Sequence, residues 1–134
     1  MLVCHFRNGA WQEPEIMPYG NVSLSYSLHA LHYGQAAFEG MKAYKDVNEK
    51  VWLFRPLENF KRLNISSKRL AIPELPQAYF MDGLKALLEV DKDWIPTKEG
   101  SSLYIRPFMF ATEVGLGVRP TNKATYILIA TPAG

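Results

Sequence analysis

A chain of 134 residues is long enough to bury one core of its own, and 48% hydrophobic against 21% charged residues excludes a disordered polar chain. No apolar run approaches the roughly 18 residues of a membrane span, Met1–Arg7 carries no secretory-signal pattern, and a net charge of +2 spread among acids leaves no nucleic-acid footprint. Cys4 is the only cysteine, which excludes an internal disulfide framework and a cysteine-based zinc site and suits a reducing, cytoplasmic setting.

In chain order, Met1–Arg7 reads as a short strand that ends at the turn dipeptide Asn8-Gly9. Pro14, Pro18 and Gly20 rule out a long element before residue 21. Residues 21–34 scatter Leu24, Leu28 and Leu31 among polar groups and end at Gly34, as a surface-crossing segment with one turn of helix does. Met41–Lys45 alternates, Val51–Phe54 is apolar and β-favouring, and the polar residues 46–50 between them complete a predicted hairpin. Pro56 opens a helix at the position where its missing N–H is harmless. Leu57, Phe60, Leu63, Ser67 and Leu70 recur at helical spacing until Pro73. Pro76 opens a second helix with Phe80, Leu84, Leu87, Leu88 and Trp94 near one face, closed by Pro96. Residues 102–110 and 124–131 are strand-like, and Thr112–Pro120, with two glycines and a proline, is a loop.

This order predicts an α+β fold: one domain, residues 1–134, with a mainly antiparallel sheet and two helices on one face. A chain whose last residues follow directly on a strong strand is expected to be the front part of a longer protein.

No G-x-S-x-G elbow, H-E-x-x-H, P-loop or G-x-G-x-x-G occurs. His29 and His32 are three apart with no carboxylate spaced to join them, so core or loop histidines are favoured over a metal site. Cys4 beside His5 is better read as a small buried cysteine than as a nucleophile. Two segments carry more chemistry. In residues 31–40 aromatic residues accompany Gly34 and Gly40, brackets that let backbone approach a ligand; turn residues plus core aromatics are the blander and favoured reading. In Ser102–Pro107 strand alternation sets Tyr104 and Arg106 on one face, opposite Leu103 and Ile105. A phenol beside a guanidinium is a carboxylate receptor or, more blandly, a solvated polar face. Arg62 stands four residues after Glu58, the spacing of a helix ion pair, yet an arginine beside a sheet equally suits a phosphate.

Taken together, Ala30-Leu31-His32-Tyr33-Gly34 with Phe38-Glu39-Gly40-Met41-Lys42-Ala43-Tyr44, Leu53-Phe54-Arg55-Pro56 with Asn59-Phe60-Lys61-Arg62-Leu63, Leu103-Tyr104-Ile105-Arg106-Pro107 and Gly115-Leu116-Gly117-Val118 resemble the branched-chain amino-acid aminotransferases, pyridoxal-phosphate enzymes of fold type IV. The resemblance runs from about residue 21 to the end, with the four pieces in family order. It implies that residues 1–134 are the small N-terminal α+β domain of a longer two-domain enzyme of that fold. It implies that Arg62 holds the phosphate of pyridoxal 5'-phosphate and that Tyr33, Phe38, Tyr104 and Val118 line a pocket for leucine, isoleucine or valine. Arg106 would receive the distal carboxylate of glutamate or 2-oxoglutarate, and the Gly115–Val118 loop would reach into a partner subunit of a homodimer. No catalytic residue is expected within the chain: the Schiff-base lysine is expected beyond Gly134, and Lys42 would be structural. The chain alone is then expected to be inactive, with no metal, nucleic-acid or membrane partner. A D-amino-acid transaminase, an aminodeoxychorismate lyase-like enzyme and a non-catalytic binding or dimerisation module are the alternatives.

Overall fold

Two ten-residue strands near the end of the chain set the frame. In the computed structural model, which describes residues 1–134, β7 (Ser102–Ala111) pairs antiparallel with β8 (Ala124–Ala133) along its whole length, from Ser102 opposite Ala133 to Ala111 opposite Ala124. On the far side of β8 lies β1 (Leu2–Arg7), with Leu2 opposite Leu128. It turns at Asn8-Gly9, both at positive φ, and carries the short strands β2 (Ala10–Trp11) and β3 (Glu15–Ile16). After α1 (His29–Tyr33), β4 (Ala36–Phe38) and then β5 (Met41–Lys45) pair with the other side of β7, and β6 (Val51–Leu53) closes that edge. The whole sheet is antiparallel, in the order β2-β1-β8-β7-β5-β6.

The period of two decides which side chains are buried. Leu2 and Cys4, Met41 and Ala43, Leu103, Ile105 and Met109, and Tyr126 and Leu128 all point to one face, each at most 7% exposed. Helices α2 (Pro56–Arg69) and α3 (Gln77–Val90) cover that face with Leu63, Phe80, Leu84, Leu87 and Leu88. Each such side chain contributes about 1.5–3 kcal/mol by leaving water. The Asn64 side chain ties α2 to the link before α3, donating to the Leu75 carbonyl and accepting from the Leu75 N–H, both at 2.9 Å. Cys4 is fully buried and its thiol is pushed up to about 11, first by desolvation, so it stays protonated. No helix is long and apolar enough to cross a membrane.

The α+β architecture, the hairpin and the two helices on one sheet face agree with the sequence. One expectation is corrected. The second helix ends at Val90, a separate 3-10 turn spans Lys92–Trp94, and Trp94 points outward at 66% exposure while Ile95 enters the core. The strands β2, β3 and β4 are too short to show a period and owe their existence to the neighbours they pair with.

Candidate functional site

The sheet face opposite the helices carries the polar and aromatic groups. Tyr104 and Arg106 stand there as alternation requires, with Leu103 and Ile105 buried behind them. Arg106 Nη2 donates to the Tyr104 hydroxyl at 2.8 Å, and the guanidinium lies 4.3 Å above the Phe38 ring and 5.3 Å from the Tyr104 ring. Its Nε is buried with no partner. The group is therefore a cation seated on aromatic rings with donor capacity to spare, the chemistry that takes a carboxylate. Ile129, opposite Arg106 in register, and Phe108 give the floor apolar surface. Lys42 lies opposite Tyr104 on the same face and is exposed.

Pro107 shapes what happens next to this wall. Its carbonyl accepts from the Glu39 N–H at 2.8 Å, so its nitrogen faces the same side and has no hydrogen to offer back. The ladder between β7 and its neighbours is interrupted there, at Glu39-Gly40 between β4 and β5. The Glu39 side chain turns toward α2. It is 3% exposed and accepts from Arg62 Nε at 2.6 Å, Arg62 Nη2 at 2.8 Å and Asn59 Nδ2 at 3.0 Å. Burial by itself raises the Glu39 carboxyl, but the hydrogen bonds from Arg62 and Asn59 and the Arg62 charge outweigh it and hold the group below the usual glutamate value. The expected Glu58–Arg62 pair does not form. Glu58 contacts Lys61 in solvent at 3.4 Å, while the fork of Arg62 goes to the buried carboxylate that needs a charge most.

The remaining predicted residues form a separate group. Tyr33 donates from its hydroxyl to the Leu116 carbonyl, and its ring packs edge-on against His29. Its other ring neighbour is His32. Val118 lies 75% exposed on the same 112–120 loop as Leu116. That loop is held at its base by Glu113, which accepts from the Asn122 N–H at 2.8 Å and from Arg119 Nε at 3.0 Å. The Asn122 N–H, then the Arg119 guanidinium, bring the Glu113 carboxyl below its ordinary value against the effect of burial. His29 and His32 diverge: His29 is fully buried, while His32 bonds the Tyr26 carbonyl at 2.8 Å near the surface. The sequence assigns no role to Glu39 or Asn59 and marks Gly40 only as a bracket that lets backbone approach a ligand. The available signal was an acid in one motif piece and an arginine in the next.

No family model matches the chain. Among curated relatives, the branched-chain-amino-acid aminotransferase of Mycolicibacterium smegmatis is 50% identical over 125 residues, 92% of this chain and 34% of that protein. The branched-chain-amino-acid transaminase 1 of Bacillus subtilis is 44% identical over 135 residues, 100% of this chain and 38% of its own length. The chain thus spans little more than a third of the curated relatives it matches. Among solved structures, the Escherichia coli branched-chain amino acid aminotransferase superposes with a TM-score of 0.66 at 28% identity, over 98% of this chain and 40% of that one. A T.th. branched-chain amino acid aminotransferase complexed with N-(5'-phosphopyridoxyl)-L-glutamate gives 0.66 at 29% identity, over 96% and 40%. In sequence and in fold the chain is similar to the N-terminal portion, about 34–40%, of branched-chain amino-acid aminotransferases.

Proposed function

We propose that this chain supplies one wall of the substrate pocket and one cofactor-phosphate ligand of a pyridoxal-phosphate aminotransferase. That enzyme exchanges the amino group between leucine, isoleucine or valine and 2-oxoglutarate. The observation that carries the reading is Arg106, donated to Tyr104 and stacked on Phe38 on the open face of the sheet. One pocket must accept an aliphatic side chain in one half-reaction and a carboxylate in the other. Phe38, Tyr104 and Ile129 give the first an apolar surface. Arg106 gives the second a partner, so that glutamate does not bury an unpaired charge.

The donor set around Arg62 fits a phosphate. Glu39 occupies Nε and one N–H of Nη2, which leaves Nη1 and the other Nη2 hydrogen as an outward fork, with 70% of the side chain exposed. A dianion accepts from such a fork through paired, charge-assisted bonds. Pyridoxal phosphate, when bound, supplies the electron sink that amino-group transfer requires. The adduct in the T.th. structure joins a phosphopyridoxyl group to glutamate, which supports both assignments. The loop with Leu116 and Val118, braced against Tyr33, presents apolar surface to a second subunit, in keeping with a homodimer.

The test is Arg106→Leu in the complete enzyme, read by single-turnover kinetics with each amino acid. Glutamate loses the cation for its distal carboxylate, and its half-reaction should slow by a factor of roughly 30 or more, the value of about 2 kcal/mol for an unpaired buried charge. Leucine should change by less than about fivefold. Equal losses would mean that Arg106 supports the pocket without reading the carboxylate.

A further inference from the structure

We infer that Glu39 is the positioning residue that makes Arg62 a phosphate receptor, an inference that rests on the reading of Arg62 given above. An arginine on an exposed helix samples many rotamers, and a ligand that binds it must first stop that motion. Arg62 is already stopped. One edge of its guanidinium is bound to a carboxylate that is itself fixed, because Glu39 is 3% exposed and held by Asn59, and Asn59 Nδ2 also reaches the Gly40 carbonyl at 3.3 Å. The free edge then points in one direction.

The placement follows from the sheet. Pro107 interrupts the ladder at Glu39-Gly40, and the same three-residue segment sends Phe38 under Arg106, Glu39 to Arg62, and the backbone of Gly40 to Asn59. The carboxylate receptor and the phosphate receptor are thus set by adjacent residues of one rigid stretch. A carboxylate beside a cation also has an opposite effect: it neutralises the guanidinium and competes with the incoming anion. The two effects predict opposite outcomes when the charge of Glu39 is removed.

The probe is pyridoxine 5'-phosphate, which carries the phosphate and ring but no aldehyde and so forms no bond to lysines. It is titrated into the 134-residue chain and its Arg62→Ala, Glu39→Gln and Glu39→Asp variants, with arginine side-chain resonances observed by NMR. Glu39→Gln is expected to weaken binding roughly fivefold to tenfold, in the direction of Arg62→Ala, and Glu39→Asp to recover part of the loss. In the parent, the Arg62 Nε–H is expected to be a single slowly exchanging signal that persists when the probe binds, because Nε belongs to the Glu39 edge. Its loss or rapid exchange on binding would overturn the inference even if Glu39→Gln does not fold. If Arg62→Ala weakens binding while Glu39→Gln leaves it equal or tighter, Glu39 is a competitor and only the positioning role falls. If Arg62→Ala binds as the parent does, or the parent does not bind, the phosphate reading of Arg62 falls and the inference falls with it.

Discussion

At position 40 a missing side chain decides where a neighbour's hydroxyl sits. A Cβ built on Gly40 would overlap the Tyr104 hydroxyl oxygen and come within 3.1 Å of Cζ. Gly40→Ala must therefore swing the Tyr104 ring and break its hydrogen bond with Arg106. The expected cost is about 1–3 kcal/mol, from overpacking plus the lost bond. Most of that cost should vanish in a Tyr104→Phe background, where the clashing atom is gone. Chemical denaturation of the parent, both single variants and the double variant measures this as a coupling energy. Additive costs would show that Gly40 is needed for its backbone alone. Residues 104 and 106 were legible from the sequence because alternation along a strand is a local rule. The partner of Arg62 was not legible. Helical spacing compares Arg62 only with residues one turn away, and the acid that binds it arrives from a break in the sheet 23 residues earlier.

Among the elements, the 112–120 loop depends on one carboxylate. Glu113 binds Arg119 within the loop and Asn122 just beyond it, and its backbone carbonyl accepts from the His29 N–H at 2.9 Å. Gly115 donates to the Ser27 carbonyl at 3.0 Å, so the loop and the segment before α1 brace one another. The folded Glu113 is more acidic than an unfolded glutamate, whose ordinary value is 4.5. Unfolding of the loop then takes up a proton. The stabilisation is present above the ordinary value and is lost as the pH falls through the lower folded value. Hydrogen exchange at the Asn122 and Gly115 amides should show a protected loop at neutral pH that opens on acidification below pH 4.5. Glu113→Gln should remove that pH dependence and lower protection at neutral pH, by an amount of order 1–2 kcal/mol. An unchanged profile in the variant would assign the loop's order to Tyr33 and Leu116 instead. Sequence patterning showed this segment's flexible composition, with two glycines and a proline, but not its anchor. The anchor needs Glu113 and Asn122 brought together by the two long strands on either side. The same holds for β4: three residues carry no period, and only the register with Phe108–Phe110 makes them a strand.

At the scale of the molecule, the sheet has one face sealed by α2 and α3 and one face left open to water, and the open face bears Phe38, Tyr104 and Arg106. Such a face has the groups to hold a ligand, but catalysis asks for more. Charges and dipoles accelerate a reaction when they are fixed around the reacting atoms and water is excluded, because bulk water screens them and reorganises at each step. Phe38 is 64% exposed and Arg62 faces solvent, so the residues assigned to the pocket enclose no reaction volume. Lys42, the lysine opposite Tyr104 in register, is likewise exposed and lies in no enclosed site. The 134-residue chain is therefore expected to transfer no amino group on its own, even while it binds a phosphate. The measurement supplies leucine, 2-oxoglutarate and pyridoxal phosphate to the purified chain and follows glutamate formation against the same mixture without protein. Free pyridoxal phosphate sets the background, and the chain should not exceed it. Turnover above that background, abolished by Lys42→Ala, would show that the open face is a reaction centre in its own right. A division of labour in which this chain reads the carboxylate and holds the phosphate while the chemistry needs further walls would then have to be given up.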